Sequence, residues 1–330
     1  VKCPSCGLEH ARKSCPACAF IVQTTKEVKR VTGKVTTRSV FSTEGVIVFA
    51  AYQNGKFMYL YHEDDKYMRE GGRLVATESL SPRTRFRIRG NDTLIGRDEN
   101  VRVFDVSGAQ TEIRVDGFGN LPVFDSNSLN MYWTSEDAIL RNGRWGPDKI
   151  GNVLSRQTLF WVGPSFGFGF YRAGIISMAF VFDAQSKAIN DNVKLPPITG
   201  QLIDSTAIIT RDLCWFFTST REGGRYVNRC HQIRRDGTVV ASAEAEEGDG
   251  SWLGTIRGKS AIGKLLFAPT DEGIVRVESQ GSQISVTGEF PDTEPYVNSA
   301  TQLFVAENGI YAVNRKEVMH ISIAYRNSSL

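Results

Sequence analysis

After residue 40, apolar and polar side chains alternate along short runs that are rich in Val, Ile, Phe, Tyr and Trp. Turn residues such as Gly, Asn and Asp separate the runs, and patterns with the helical period are almost absent. An alternating run buries one face and exposes the other when it forms a strand. The pattern therefore predicts an all-β chain built from many short antiparallel strands.

These runs recur as one unit, which reads strand, turn, strand, turn containing glycine, strand. The unit occurs in seven segments of the chain: 46–68, 93–115, 130–146, 166–189, 214–242, 264–286 and 302–323. Their first turns fall near Asn54, Glu99, Glu136, Ala173, Glu222, Glu272 and Asn308, with a mean spacing of about 42 residues. A propeller blade of four antiparallel strands needs roughly 40 to 45 residues.

The repeat resembles the β-propellers of the broad WD-like and quinoprotein-like class. That resemblance implies a seven-bladed β-propeller, with six or eight blades as alternatives, in which the run before each unit supplies the innermost strand. In the second blade that strand would be RFRIRG, residues 85–90. Because no Trp-Asp dipeptide closes any blade, a pair of β-sandwiches or a β-helix remains an alternative.

The phase of the units predicts where the ring closes. Residues 34–41 (KVTTRSVF) are expected to form the inner strand of the first blade. The last blade should end near Ile323 with an outer strand of its own. The predicted organisation is a small N-terminal module over 1–20, a basic linker over 21–33, the propeller over 34–325 and a tail over 326–330.

The N-terminal module contains two C-x-x-C pairs, CPSC at 3–6 and CPAC at 15–18. Each pair places two thiolates on one side of a tight turn, and two such turns can close a tetrahedral four-sulfur site. The motif resembles the short zinc ribbon, CPxCG…CPxC, except that Ala19 stands where that family usually has Gly. We expect one structural zinc on Cys3, Cys6, Cys15 and Cys18; two disulfides or a rubredoxin-type iron are the alternatives.

Charge is distributed unevenly along the chain. The formal net charge is only +3, but residues 1–40 carry eight Lys and Arg against two Glu. A basic N-terminal arm suits an acidic partner, nucleic acid included, although a solvated linker would have the same composition. No apolar run approaches the roughly 20 residues of a membrane span, and the N-terminus has no signal-peptide pattern, so we expect a cytoplasmic protein without membrane association.

Residues 83–89 place four arginines at strict alternation: Arg83, Arg85, Arg87 and Arg89. On one strand these side chains would share a face. Four unpaired guanidinium groups between packed blades would be too costly. Either nearby carboxylates pair some of them, or they reach the channel mouth and form a candidate anion or partner contact.

Other polar groups are expected to be structural. The YHEDDK run (61–66) and the EAEEGDG run (244–250) are predicted to be solvated turns, and GPSFGFGFYRAG (163–174) is predicted to let the adjacent blade approach closely. Cys214 and Cys230 should be buried free thiols on neighbouring strands, with a cross-strand disulfide as the alternative. His231 and His320 are expected to be structural histidines.

The sequence contains no catalytic arrangement that can be defended, so an enzyme is less expected than a binding protein. The favoured function is a non-catalytic protein-interaction scaffold, in which the propeller binds partners and the zinc ribbon adds a second contact. The alternatives are a nucleic-acid-associated factor that uses residues 1–40, and an enzyme whose site lies in the propeller channel.

Overall fold

In a computed structural model of the chain, the described residues extend from 33 to 325, with short gaps at 54–55, 82–83, 90–91, 98–99, 106, 115–122, 125–130, 136–137, 144–145, 153–157, 174–175, 184–188, 247–251 and 255–256. These residues are almost entirely in strands, which confirms the all-β prediction. Short 3-10 turns occur at Glu70–Gly72 and Pro291–Tyr296. No helix in the described part of the chain has the length and hydropathy to cross a lipid bilayer.

The described strands form consecutive four-stranded antiparallel units. The first unit contains β2–β5 (Val46–Gln53, Lys56–Glu63, Lys66–Arg69, Arg73–Thr77) and the second contains β6–β9 (Arg85–Arg89, Asp92–Arg97, Asn100–Phe104, Gln110–Arg114). The third contains β10–β13 (Val123–Phe124, Met131–Ser135, Ala138–Gly143, Gly146–Asn152) and the fourth contains β14–β17 (Leu159–Val162, Gly167–Ala173, Ile176–Phe182, Ile189–Val193).

The remaining described strands continue the same plan. The fifth unit contains β18–β21 (Gln201–Ile209, Leu213–Glu222, Arg225–Arg234, Val239–Glu246) and the sixth contains β22–β25 (Ser260–Ile262, Leu265–Thr270, Gly273–Gln280, Gln283–Phe290). The seventh contains β26–β28 (Gln302–Ala306, Gly309–Val313, Glu317–Tyr325) and takes its fourth strand, β1 (Gly33–Ser42), from the other end of the chain.

The units follow one another around a ring, as contacts between the first strands of most neighbouring units indicate. Contacts of this kind join β2 to β6, β10 to β14, β14 to β18, β18 to β22 and β22 to β26. A contact between β26 and β2 brings the seventh unit against the first. The fifth and sixth units are also linked at their outer strands, where the Ser242 N–H donates to the Ser282 carbonyl at 3.0 Å.

Ring closure differs from the prediction. Residues 34–41 do not form the inner strand of the first unit; they lie in β1, which pairs antiparallel with β28 from Gly33↔Tyr325 to Ser42↔Glu317. The seventh unit therefore ends at β28 without an outer strand of its own. The first-unit inner strand is β2 instead. An inner strand over residues 85–90 of the second unit was correctly predicted, since β6 occupies Arg85–Arg89 and contacts β2 and β3.

The error is one of phase, confined to the two units that meet at the seam. The predicted first turns near Glu99, Glu136, Ala173, Glu222 and Glu272 separate the second and third strands of their units. The turns near Asn54 and Asn308 separate the first and second strands. A hairpin looks the same in sequence wherever it lies in a four-stranded meander, so the pattern could not fix this phase.

Aromatic side chains join the first and seventh units at the seam. Phe41, on the closing strand, stacks on Tyr59 of the first unit with ring centroids 3.7 Å apart and an interplanar angle of 16°. Tyr52 and Phe57 of the first unit each stack on Tyr311 of the seventh with centroids 5.1 Å apart. The backbone of strand β1 thus pairs with the seventh unit, and its Phe41 side chain packs against the first unit.

The glycines of GPSFGFGFYRAG have two roles, of which only one was predicted. A side chain at Gly167 or Gly169 would collide with the rings of Phe182 and Phe180, which are their direct partners on β16. Gly167 and Gly169 therefore make room for aromatic rings of their own sheet, whereas Gly163 allows the predicted close approach, since a Cβ there would lie 2.5 Å from Cβ of Ile209 in the fifth unit. On the opposite face of β15, Phe168 and Phe170 pack against Phe216 of the fifth unit.

We predict that Phe41→Ala lowers the free energy of unfolding by about 2 kcal/mol, because a half-buried aromatic contact at the seam is lost. Urea denaturation measures this change. Val40→Ala is the matched control, since Val40 lies on the same strand and is 41% exposed. Equal unfolding midpoints for the two variants would contradict a closing role for Phe41.

Candidate functional site

A cleft with a volume of about 860 Å³ lies between the fourth and fifth units. Its wall is the segment that links β17 to β18, together with two residues of the fourth unit. The lining residues are Arg172, Ser177, Leu195, Pro196, Pro197, Ile198, Thr199, Gly200, Gln201 and Leu202. The cleft therefore combines an apolar wall with a cationic side chain.

The sequence of the linking segment explains its shape. Pro196 and Pro197 are both exposed, and each ring fixes φ and removes a backbone donor. The segment ends at Gly200, whose φ of +73° favours glycine. A Cβ at this position would also lie only 2.5 Å from the Arg221 carbonyl oxygen. The wall is thus held close to β19 in one conformation.

Apolar side chains continue from the cleft onto the surface. Leu195 and Leu202 are half-buried in the lining. A register shift between Leu202 and Asp204 marks a β-bulge, and the residue within it, Ile203, is 48% exposed. Bulges re-aim side chains in this way. Met178, on the neighbouring unit, is 37% exposed.

One cationic side chain lines the cleft, and two more lie next to lining residues; the three are called the rim. Arg172 donates a hydrogen bond to the Gly200 carbonyl and so spans the two units. Lys194 is exposed directly before Leu195, and Arg221 is exposed opposite Gln201 in the β18–β19 register. Within the part of the chain that the structure describes, neither Lys194 nor Arg221 forms an ion pair. The rim is therefore positively charged.

The carboxylates beside the rim are already paired. Buried Arg229 holds Glu222 at 2.8 Å and Glu244 at 2.6 Å. Burial acts to raise the pKa of Glu222, but hydrogen bonds from Thr199, Arg229 and Thr220 outweigh it and hold the pKa below its usual value. Asp204 accepts two hydrogen bonds from Arg257, at 3.0 and 3.1 Å. Arg229 neutralises only one of its two glutamates, so this group carries a net charge of −1 against the three cations of the rim, whereas Asp204 and Arg257 sum to zero.

Most of the predicted site residues lie outside the part of the chain that the structure describes. Cys3, Cys6, Cys15 and Cys18 lie outside the described residues, and so does Arg83. Arg85, Arg87 and Arg89 occupy alternate positions of β6, as predicted for a strand, but their side chains are also outside the described set. Their predicted ion pairs and anion contact remain predictions.

The predicted structural groups are located as follows. Cys214 and Cys230 are free and buried on neighbouring strands, as predicted, and they belong to separate apolar clusters on the two faces of the fifth unit. Asp64 and Asp65 form an exposed turn with positive φ, which confirms the solvated turn. Among the described residues, no group of three or more His, Cys, Asp and Glu is placed to hold a metal.

Both predicted structural histidines make local contacts. His231 Nδ1 lies 2.9 Å from Ser242 Oγ, and burial, aided by the charge of Arg229, lowers the pKa of His231 to about 4. His320 Nε2 lies 3.0 Å from the Asn308 carbonyl oxygen, and its ring packs edge-on against Tyr311. Each contact joins strands of one unit, which fits a structural role.

Lys259 is a buried amine that the sequence analysis did not identify. It is 7% exposed, and its Nζ lies 5.0 Å from the centroid of the Phe217 ring. Among the described residues Nζ has no hydrogen-bond partner. Burial lowers the pKa of Lys259 to about 7, and the nearby Cys230 only partly opposes this shift. The apolar surroundings, which include Trp215 and Trp252, make Lys259 a cost to folding at acidic pH.

We predict that the free energy of unfolding of the native chain increases between pH 6 and pH 8.5. The Lys259→Met variant should lack this increase. The lysine has a pKa near 10.4 in the unfolded chain and about 7 in the folded chain. Between these two values, folding releases a proton, so stability increases with pH. The free-energy penalty for burying the charged amine is complete below the folded-state pKa, and it decreases as the pH rises above it. Urea midpoints at both pH values measure it, with exposed Lys264→Met as the control. A variant whose advantage over the native chain is equal at both pH values would contradict this prediction.

Comparison with known proteins identifies the fold but no family. No family model and no curated protein matches the sequence. The structure is similar to the Neurospora crassa Pan2 WD40 domain, with a TM-score of 0.51 and 10% identity over 92% of this chain and 98% of that one. It is also similar to the N-terminal domain of Nup159, with a TM-score of 0.50 and 10% identity over 89% of this chain and 98% of that one. At this identity the likeness shows the fold alone: the chain is an all-β protein with a β-propeller fold.

Proposed function

We propose that this chain is a non-catalytic protein-interaction scaffold. In this proposal a seven-bladed β-propeller binds a protein partner, and an N-terminal zinc ribbon on a basic tether provides a second contact. The observation that carries the proposal is the cleft between the fourth and fifth units. It joins an apolar wall to a cationic rim on a rigid ring, a combination suited to a polypeptide.

Seven blades are supported by the arrangement of the described strands. They group into four-stranded units, and contacts between β26 and β2 bring the last unit against the first. A ring of this kind leaves only short outer edges and presents its linking segments as a rigid surface. Sites on rigid scaffolds lose little conformational entropy on binding.

The zinc ribbon is supported by the CPSCG and CPAC motifs alone. We predict one zinc per chain on Cys3, Cys6, Cys15 and Cys18. Elemental analysis of protein purified without added metal measures it. Cys15→Ser should abolish zinc binding and leave the urea midpoint of the propeller unchanged, because a module this small has no core in common with the ring. Metal-free protein would overturn the zinc assignment.

A capture experiment tests the scaffold function. The intact chain and a chain that begins at Gly33 are immobilised, and co-purified proteins are identified after washing at rising salt. Cutting before Gly33 keeps β1, which the ring needs. We expect a protein partner to bind both forms and to bind the intact chain more tightly. If neither form retains a protein, the scaffold function fails.

Nucleic acid is the second candidate, favoured by the excess of six positive charges over residues 1–40. It predicts that the intact chain shifts a DNA or RNA probe in a salt-dependent way and that the shortened chain does not. A shift of that kind without a captured protein would favour the nucleic-acid function over the scaffold.

A further inference from the structure

We propose that the cleft between the fourth and fifth units binds a short acidic segment of a partner protein, anchored by an apolar side chain against Leu195 and Leu202. This inference rests on the proposed function, since it names the chemistry of the partner that the scaffold would bind. It differs from the arginine contact predicted on β6, which lies in another unit.

Charge is the first argument. Lys194 and Arg221 are exposed cations on opposite sides of the linking segment, and Arg172 adds a third at the junction of the two units. Glu222 is held by Arg229, and Asp204 by Arg257. Because Arg229 is shared with Glu244, its group carries −1, and the three cations still leave a balance of +2 around the cleft, for which an acidic segment is the complementary ligand.

Rigidity and apolar surface are the second argument. The Pro196–Pro197 wall is fixed in φ and loses little entropy when a ligand orders it. Leu195 and Leu202 line the cleft, and the bulge at Ile203 adds an exposed apolar side chain beside it. An apolar anchor that is buried in such a groove and surrounded by charge contacts is the usual arrangement of peptide sites.

The lining also distinguishes a peptide from a nucleic acid. The described lining residues include no aromatic side chain on which a base could stack. Single-stranded nucleic acids gain much of their affinity from such stacking. The same residues do offer apolar contacts, which a phosphate backbone cannot use. Peptide is therefore the ligand class that fits both halves of the cleft.

The test uses the full chain and three labelled peptides, measured by fluorescence anisotropy. The probe is Asp-Glu-Asp-Leu-Phe-Asp-Glu-Asp; one control replaces Leu-Phe by Ala-Ala, and another replaces every acid by lysine. We expect saturable binding of the probe alone, weakened roughly threefold when NaCl rises from about 50 to about 300 mM. Hydrogen exchange should show protection over residues 194–203.

Two matched pairs of variants locate the binding. Arg221→Glu should weaken the probe roughly tenfold, whereas Arg211→Glu, an exposed arginine at the opposite end of β19, should change it by less than about twofold. Ile203→Ser should weaken the probe, and Ile262→Ser, at a 44% exposed site on β22, should not. All four positions are exposed, so folding should persist; Lys194→Glu replaces Arg221→Glu if that variant unfolds.

The outcomes separate this inference from the scaffold function. Selective binding of the probe, lost in Arg221→Glu and kept in Arg211→Glu, supports the cleft assignment. No saturation by about 1 mM probe, equal effects of the two arginine variants, or displacement of the probe by single-stranded DNA overturns it. If Arg221→Glu still captures the same protein partner as the native chain, the cleft assignment fails and the scaffold function stands.

Discussion

The structure depends on the closure of the ring by strand β1. Each four-stranded unit has two faces to bury; the first unit buries one against the second and the seventh buries one against the sixth, so each has one face left that only the other covers. The Thr43 N–H donates to the Lys316 carbonyl at 2.8 Å, and the Thr43 hydroxyl contacts the same carbonyl across a separation of 273 residues. Closing so long a loop costs conformational entropy, so many other favourable contacts must form at the same time. The backbone ladder with β28 and the stack of Phe41 on Tyr59 provide them.

Closure also explains where polar groups are tolerated. Between units, a charge is surrounded by apolar side chains and must find its partner there. Arg229 does so with Glu222 and Glu244 near the edge of the fifth unit. Lys259 does not, and its pKa falls to about 7 as a consequence. At the interface between the fifth and sixth units, folding is therefore linked to the protonation of Lys259.

The sequence predicted the strand repeat because alternation and turn residues are local signals. It could not predict the phase at the seam, because residues 34–41 and residues 46–53 both read as plausible inner strands. What decides between them is the pairing of β1 with β28, a contact between chain ends. The glycines at 167 and 169 show the same limit: a small residue signals a close approach, but not which partner approaches.

The candidate cleft was missed for a related reason. The signal present in the sequence was the LPPITG run, a rigid segment directly after Lys194, which the sequence analysis did not single out. Its meaning depends on the bulge at Ile203 and on the position of Arg221 in the next strand, and neither is a local pattern.

The topology separates the two contacts that the scaffold would use. Gly33, to which the N-terminal module is attached, pairs with Tyr325 at one end of β28, whereas Ser42 at the other end of β1 leads into the first unit. Residues 43–45 connect β1, the outer strand of the seventh unit, to the first strand of the next unit. The segment that links β17 to β18 makes the same type of connection, so it lies on the same face of the ring as Ser42 and on the opposite face from Gly33. It also belongs to the fourth and fifth units, across the ring from the seam. In the proposed scaffold, a second contact made by residues 1–32 would add to the affinity of the cleft by raising the effective concentration of the shared partner.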